Sequence, residues 1–138
     1  MRGNCGVHRR RSHRVLAILG VGAALLAGCA SAHEPEVERV ATTFEDPSAE
    51  PQERCDLLIP ATRAAFEQSE SAPCAEAIED LPLEAGTVES VEIWGGDAQV
   101  KLTGDTVFLS ETSDGWRITS AACTPRAEAP YDCEVDGP

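Results

Sequence analysis

The sequence predicts an α+β domain in which three to four amino-terminal helices pack on one face of a four-stranded antiparallel meander. Apolar residues recur at helical spacing before Pro82, whereas β-branched residues punctuated by glycine and aspartate follow it. An export signal at the amino terminus indicates where the domain begins. We therefore expect a lipoprotein signal peptide over residues 1–28, a lipidated tether over 29–35 and a single domain over 36–138.

The first 28 residues have the composition of a lipoprotein signal peptide. Five arginines precede twelve mostly apolar residues, a run shorter than the about 20 residues that span a bilayer. The run closes on Leu26-Ala27-Gly28-Cys29, which is a lipobox. In that signal a peptidase cuts between Gly28 and Cys29, and the cysteine sulfur carries a diacylglycerol. Arg10 and Arg11 leave twin-arginine export as an alternative route, although apolar residues do not directly follow the pair.

Removal of the signal peptide makes the chain more acidic. The full chain has a formal charge of −13, whereas the six basic and 24 acidic side chains after Gly28 give −18 over 110 residues. Such a charge repels nucleic acid and anionic lipid headgroups and favours cations or basic partners. We therefore expect no nucleic-acid binding. A solvated surface that keeps the protein soluble explains the same charge.

Four cysteines remain on the exported side when Cys29 is lipidated. Export places them in an oxidising compartment, where disulfides stabilise small domains. Of the three possible pairings we prefer Cys55–Cys74 with Cys123–Cys133, because each closes a local loop and each cysteine lies at the edge of a predicted element. The alternative is a zinc site, but these cysteines lack the spacing of a zinc knuckle and no histidine accompanies them.

Four helices are predicted from proline positions and apolar spacing. The first begins near Pro35, which suits a first helical turn, and ends near Asp46. Two short helices follow Pro51 and Pro60, and Pro73 opens a fourth. The apolar stripes consist of Val37, Val40, Ala41 and Phe44 in the first helix, and of Cys74, Ala77, Ile78 and Leu81 in the fourth.

Turn residues divide the following segment into a four-stranded meander. The turns are Gly95-Gly96, Gly104-Asp105 and Asp114-Gly115. As two-residue loops they give strands over about 88–94, 97–103, 106–113 and 116–122. One face then carries the apolar residues Val91, Ile93, Ala98, Val100, Leu102, Val107, Leu109, Ile118 and Ala122. We expect the helices to cover this face.

The opposite face of the meander is the candidate binding surface. It gathers two of the six exported bases, Lys101 and Arg117, with the aromatic residues Trp94 and Phe108 and a row of hydroxyl side chains. A surface of this kind suits a partner protein, a small ligand or a homodimer. The same composition is found on ordinary solvated sheet faces, so both interpretations stay open.

Four blocks of the exported chain carry a resemblance to known proteins. They are Cys55-Asp56-Leu57-Leu58 with Pro60-Ala61-Thr62-Arg63, Asp105-Thr106-Val107-Phe108-Leu109, Gly115-Trp116-Arg117-Ile118-Thr119 through Cys123-Thr124-Pro125, and Pro130-Tyr131-Asp132-Cys133. With them the chain resembles small secreted lipoproteins of high-GC Gram-positive bacteria. That resemblance implies a cell-surface address and the two disulfides, and it carries over no catalytic residue. The order of helices before sheet also resembles the cone-shaped nuclear-transport-factor-like fold.

These observations predict a non-enzymatic binding module, anchored to the outer face of the cytoplasmic membrane by the lipid on Cys29. The only histidine after the cleavage site is His33, which lies on the expected tether, so no fixed histidine supports a catalytic triad. A cone-fold hydrolase or isomerase with a carboxylate base is the first alternative function. A surface cation binder is the second.

The acidic carboxyl terminus is expected to be a solvated tail. Asp132, Glu134 and Asp136 are spaced like the start of an EF-hand loop, but the bidentate glutamate of such a loop is missing. We therefore expect no metal site and no cofactor.

Overall fold

The computed structural model describes residues 28–83, 86–128 and 131–138, which form helices and one antiparallel sheet. The helices are α1 (Gly28–Glu45), α2 (Pro51–Asp56), α3 (Pro60–Glu70) and α4 (Cys74–Ala77). The strands are β1 (Val88–Trp94), β2 (Asp97–Leu102), β3 (Thr106–Thr112), β4 (Gly115–Pro125) and β5 (Tyr131–Asp136). They form a meander in the order β1-β2-β3-β4-β5. The fold class is α+β, as predicted, and none of the described helices is long and apolar enough to cross a membrane.

Helix α1 is longer than the sequence predicts. It begins at Gly28, so residues 29–35, the expected lipidated tether, are helical, and Pro35 lies inside the helix rather than in its first turn. The predicted apolar stripe, from Val37 to Phe44, is fully buried. Residues 1–27, on which the signal peptide is predicted, lie outside the described residues.

Proline marks the start of the two short helices that follow. Pro51 and Pro60 lie in the first turns of α2 and α3. A backbone N–H at this position has no acceptor within the helix, so its absence in proline costs no hydrogen bond. Ser71 ends α3 in the left-handed conformation, with φ of 55°. Helix α1 contacts β1, β2 and β4, and α3 contacts β4 and β5. The core is formed between this helical layer and the sheet.

Two of the three predicted turns lie one residue earlier than predicted. Gly95 and Gly96 form the first turn, as expected, because Trp94 pairs with Asp97. The second turn is 103–104, since the N–H of Leu102 donates to the carbonyl of Asp105 at 2.8 Å. The third turn is 113–114, since 112 pairs with 115. Each correction shifts the strand pairing by two residues, so the predicted faces are preserved.

Strand β4 contains an irregularity that changes which alanine is buried. Its register with β3 shifts on both sides of Phe108, and Ala122 has a left-handed φ of 54°. Ala121 is consequently fully buried, whereas Ala122, expected on the apolar face, is only half-buried. The other residues predicted for that face belong to the core or pack against it. Trp116, which was not assigned to the core, is 1% exposed.

The carboxyl-terminal segment is a fifth strand, where the sequence predicted four strands and a solvated tail. Strand β5 pairs with β4 through Ala121 and Val135 and through the two cysteines. Val135 is fully buried, while the acidic residues on either side are exposed. Strand β5 pairs with β4 only as far as Ser120. Nearer the start of β4, Leu58 forms an isolated β-bridge with Ile118.

Both disulfides have the pairing that was preferred from the sequence. Cys55–Cys74 joins the end of α2 to the start of α4, and both cysteines are fully buried. Cys123–Cys133 joins β4 to β5, and Cys133 is half-buried. One disulfide therefore lies within the helical layer and the other within the sheet.

We predict that the first disulfide contributes more to stability than the second. The loops closed span 19 and 10 residues, and each closure contributes about 3 kcal/mol. The double variant Cys55→Ser, Cys74→Ser also buries two hydroxyls without partners, which costs a further about 1–3 kcal/mol. Urea unfolding of this variant and of Cys123→Ser, Cys133→Ser measures the difference. A larger loss of unfolding free energy in Cys123→Ser, Cys133→Ser would contradict the prediction.

Candidate functional site

The four residues predicted for the binding face do not form one site. Trp94 lies beside the β1–β2 turn and is 50% exposed, the highest value for a large apolar side chain in the part of the chain that the structure describes. Lys101 lies near the β2–β3 turn, at the other end of the same strand pair. Phe108 lies in the middle of β3, and Arg117 lies on β4. Trp94 and Arg117 lie toward one end of the sheet on different strands, Lys101 lies toward the other end, and Phe108 lies between them.

Tyr131 covers the centre of this open face. Its ring packs edge-on against Phe108, with centroids 4.9 Å apart and an interplanar angle of 73°. The Nε2 of Gln99 donates a hydrogen bond of 3.0 Å to the tyrosine hydroxyl. A side chain of β5 thus reaches β2, which requires the sheet to curl, because neighbouring strands are about 4.8 Å apart. Phe108 is therefore half-buried rather than free to contact a partner.

A groove beside Tyr131 occupies the β2–β3 end of the open face. We call it the Lys101 groove. Its volume is about 350 Å³, within the range of about 300–1,000 Å³ that is typical of small-molecule sites. Lys101 makes no ion pair with the described residues. The side chains that line the groove include Glu89, Lys101, Thr103, Thr106 and Tyr131.

Arg117 belongs to a different groove, between the α2–α3 connection and the β3–β4 turn. This groove has a volume of about 590 Å³ and also contains Arg63 and Asp114. Arg63 is already paired with Asp56 at 3.1 Å and with Glu67 at 3.2 Å. The guanidinium of Arg117 donates to the carbonyl of its own neighbour in the chain at 3.0 Å. Arg117 and Lys101 therefore line different grooves and would not hold the same small ligand.

A buried acid pair that the sequence analysis did not single out lies between α1 and the sheet. Glu45 is the last residue of α1 and is 1% exposed. Its carboxyl group is within hydrogen-bonding range of the carboxyl of Asp105. No N–H or hydroxyl of the described residues donates to either Glu45 oxygen. Because two carboxylates in contact repel each other, the pair must share a proton.

The proton of this pair resides on Glu45 and the negative charge on Asp105. The Asp105 carboxylate accepts hydrogen bonds from the backbone N–H groups of Thr106 and Cys123, at 2.5 and 2.6 Å. Burial, together with the charge of Asp105, raises the pKa of Glu45 to about 9. Burial also raises the pKa of Asp105, although the N–H donors and the Glu45 proton oppose that shift.

Arg54 is the cation nearest to Glu45 and is itself buried, with 3% of its surface exposed. Its Nε donates to the carbonyl of Phe44 at 2.7 Å, and its guanidinium carbon lies 5.7 Å from the centroid of the Phe44 ring. Its Nη2 has no acceptor among the described residues. Burial lowers the pKa of Arg54, and nearby carboxylates, Asp46 and Glu79 among them, oppose this. A guanidinium stays charged in proteins, so Arg54 is a buried cation held by a carbonyl and a ring.

Glu45, the protonated member of the acid pair, is shielded from the neighbouring cavities because it is 1% exposed. Asp105 lines a cavity of about 190 Å³ together with Pro82 and Ala122, and it also forms part of the wall of the Lys101 groove. Large side chains such as Phe44, Phe66 and Trp116 fill the interior. A filled interior argues against the carboxylate-base enzyme. No cluster of three or more metal-ligating side chains occurs in the described parts of the chain.

The sequence indicates that Glu45 is buried, but it does not indicate that Glu45 contacts Asp105. Glu45 lies four residues after Ala41 and eight after Val37, so it falls on the buried stripe of α1. The predicted stripe contains only apolar residues, and Asp105 is predicted only as part of a hairpin turn. Helical spacing identifies the buried position, whereas the partner depends on how the helix packs on the sheet.

The chain matches no protein-family model, no curated protein and no solved structure. Its function is therefore argued from the geometry of these sites.

We predict that Glu45→Gln alters the dependence of stability on pH. The raised pKa means that the folded protein retains a proton that the unfolded chain releases above its ordinary pKa of 4.5. The contribution of Glu45 to the free energy of unfolding is therefore fully present below that value and is lost as the pH rises toward about 9, by on the order of 1 kcal/mol per pH unit. Glutamine does not titrate and still offers a donor to Asp105, so the decline should disappear.

Urea unfolding at a series of pH values measures this effect. Glu38→Gln is the matched control, because Glu38 is an exposed carboxyl on the same helix and its removal should leave the wild-type slope. Parallel pH profiles for wild type and Glu45→Gln would show that Glu45 does not carry the proton.

Proposed function

We propose that the protein is a lipoprotein, anchored through Cys29 to the outer face of the cytoplasmic membrane, that binds a small anionic or zwitterionic ligand in the Lys101 groove. The lipobox and the arginine-rich, apolar segment before it support the anchor. Two disulfides support an exported, oxidising location. The proposed binding role is non-enzymatic, since the proton of the acid pair is held by Glu45, which is buried in a filled interior out of reach of a ligand.

Lys101 is the residue that carries the binding proposal. Among the described bases, Arg54 is buried, and Arg63 and Arg126 are paired with carboxylates. Lys101 has no such partner and lies in a groove with hydroxyl groups and an aromatic ring. On a strongly acidic protein, an unpaired ammonium attracts a carboxylate or phosphate group. Glu89 in the same groove could pair with the amine of a zwitterion.

The position of the groove suits capture of a ligand from outside the cell. The Lys101 groove lies at the β2–β3 turn, whereas the first turns of α1 contact the opposite end of the sheet. With the lipid on Cys29, the groove would face away from the bilayer. A homodimer through the open face is the competing use of this surface, and it would cover the groove.

We predict that Lys101→Met weakens binding of small anions in the groove. The probes are inorganic phosphate, acetate and glycine, titrated into isotope-labelled protein that lacks residues 1–28. Binding is measured from the NMR chemical shifts of the backbone amides. A hydrogen bond to a charged group contributes about 1.5–3 kcal/mol, so the variant should bind at least about tenfold more weakly. Arg39→Met, which removes an exposed base from α1, is the control and should bind like wild type. Shifts away from the groove, or shifts that survive Lys101→Met, would contradict the proposal.

We predict that Cys29→Ser releases the protein from the membrane. In the native host, wild-type protein should incorporate labelled palmitate and sediment with membranes, and globomycin should cause the uncleaved precursor to accumulate. Cys5→Ser is the matched control, because Cys5 lies in the predicted signal peptide and should leave labelling unchanged. Wild-type protein without label, or Cys29→Ser protein that still carries it, would refute the anchor.

A further inference from the structure

Trp94 and the amino-terminal part of α1 lie at the same end of the molecule. The β1–β2 and β3–β4 turns share one end of the meander, and the N–H of Glu111 donates to the carbonyl of Gly96 at 2.7 Å. The Nε1 of Trp116, just after the β3–β4 turn, donates to Nδ1 of His33 in α1 at 3.5 Å. We call this region, defined by Trp94, the two turns and His33, the anchor end. The β2–β3 turn and the Lys101 groove lie at the opposite end.

Only a short piece of chain separates the anchor end from Cys29. His33 follows Cys29 by four residues, and α1 extends through them from Gly28. A helical rise of about 1.5 Å per residue places Cys29 about 6 Å beyond His33. Even fully extended, these residues would reach only about 14 Å. A lipid on Cys29 would therefore hold the anchor end against a headgroup layer that is about 5–8 Å thick on each side of the bilayer.

Trp94 has the properties of a residue that lies at a membrane interface. Half of its surface is exposed, whereas Trp116, the other tryptophan of the chain, is 1% exposed. An indole combines an apolar body with a polar N–H, which favours the boundary between headgroups and acyl chains. The glycines of the adjacent turn carry no side chain that would hold the indole away from a surface, and a Cβ added to Gly95 would meet no atom within 4 Å.

We propose that Trp94 inserts into the headgroup region of the bilayer that holds the Cys29 lipid, and that this second contact fixes the orientation of the domain. The proposal rests on the lipid anchor of the proposed function. With both contacts made, the Lys101 groove points away from the membrane. Because each contact holds the other near the bilayer, one indole is enough to orient a protein that is already tethered.

The charges at the anchor end limit how deeply this contact penetrates. Asp97, Glu111 and Asp114 are exposed there, and the side chain of Glu36 approaches Gly115. Carboxylates avoid the hydrocarbon layer and are repelled by anionic headgroups. Insertion should therefore be confined to the indole and should be stronger in neutral than in anionic bilayers.

Tryptophan fluorescence tests the proposal directly. The full-length lipidated protein is reconstituted into phosphatidylcholine vesicles whose acyl chains carry bromine near the headgroup. We expect a blue shift of the exposed tryptophan and loss of most of its emission, and Trp94→Phe should abolish both changes. The matched control combines Trp94→Phe with Thr103→Trp, which moves the indole to an exposed position in the turn at the opposite end. Its emission should not be quenched.

Flotation of the same vesicles distinguishes failure of the anchor from failure of the insertion. Protein that does not float would overturn the lipid anchor and, with it, this proposal. Protein that floats while Trp94 keeps an unquenched, water-exposed emission would overturn the insertion alone, and would leave Trp94 to contact a protein. Equal quenching in the Thr103→Trp control would also overturn it, since the domain would then lack a fixed orientation. Weaker quenching in vesicles that contain phosphatidylglycerol would support the proposed depth.

Discussion

The carboxylate of Asp105 is the interaction on which the connection between the helices and the sheet depends. It accepts backbone N–H groups from β3 and β4, through Thr106 and Cys123, and it faces the protonated carboxyl of Glu45 at the end of α1. Without this acceptor, each buried N–H would cost about 1–3 kcal/mol. The left-handed conformation of Ala122, which costs about 1–2 kcal/mol, directly precedes Cys123, whose N–H donates to this carboxylate. The irregularity in β4 and the carboxylate contact therefore coincide in the strand.

The same contact limits the charge that is buried inside the protein. Glu45 contacts the ionised Asp105 and also lies near the buried cation Arg54, whose other charged neighbours are Asp46 and Glu79. An ionised Glu45 would place two negative charges in contact in a region with little water, which is costly. An apolar residue in place of Asp105 would remove the charge but would leave the N–H groups of two strands without an acceptor. A carboxylate paired with a carboxylic acid meets both requirements.

The sequence predicts what depends on local periodicity and misses what depends on packing. The stripe of α1 and the faces of β1–β4 follow from spacing, and the faces tolerate the two turn errors because pairing shifts by even steps. Strand β5 alternates Tyr131, Cys133 and Val135 with acidic residues. This alternation is typical of a strand, but the acidic residues led to the prediction of a solvated tail. Glu45 and Asp105 are far apart in the chain, and no local pattern links them. Alternation likewise places Trp94 and Lys101 on one face, but only the strand pairing shows that they lie at opposite ends.

The two ends of the open face differ in their local contacts as well as in position. The wall of the Lys101 groove includes Asp105, Thr106 and Cys123, which are held by the carboxylate contacts and by the disulfide to Cys133. A wall that is already ordered reduces the entropy that a ligand must overcome to bind. The anchor end instead presents a narrow glycine turn and one indole, which suits a fluid interface that has no fixed shape. Helix α1 joins the two ends, since His33 lies at one and Glu45 reaches the other. With the proposed lipid on Cys29, this helix would keep the groove at a constant distance from the membrane.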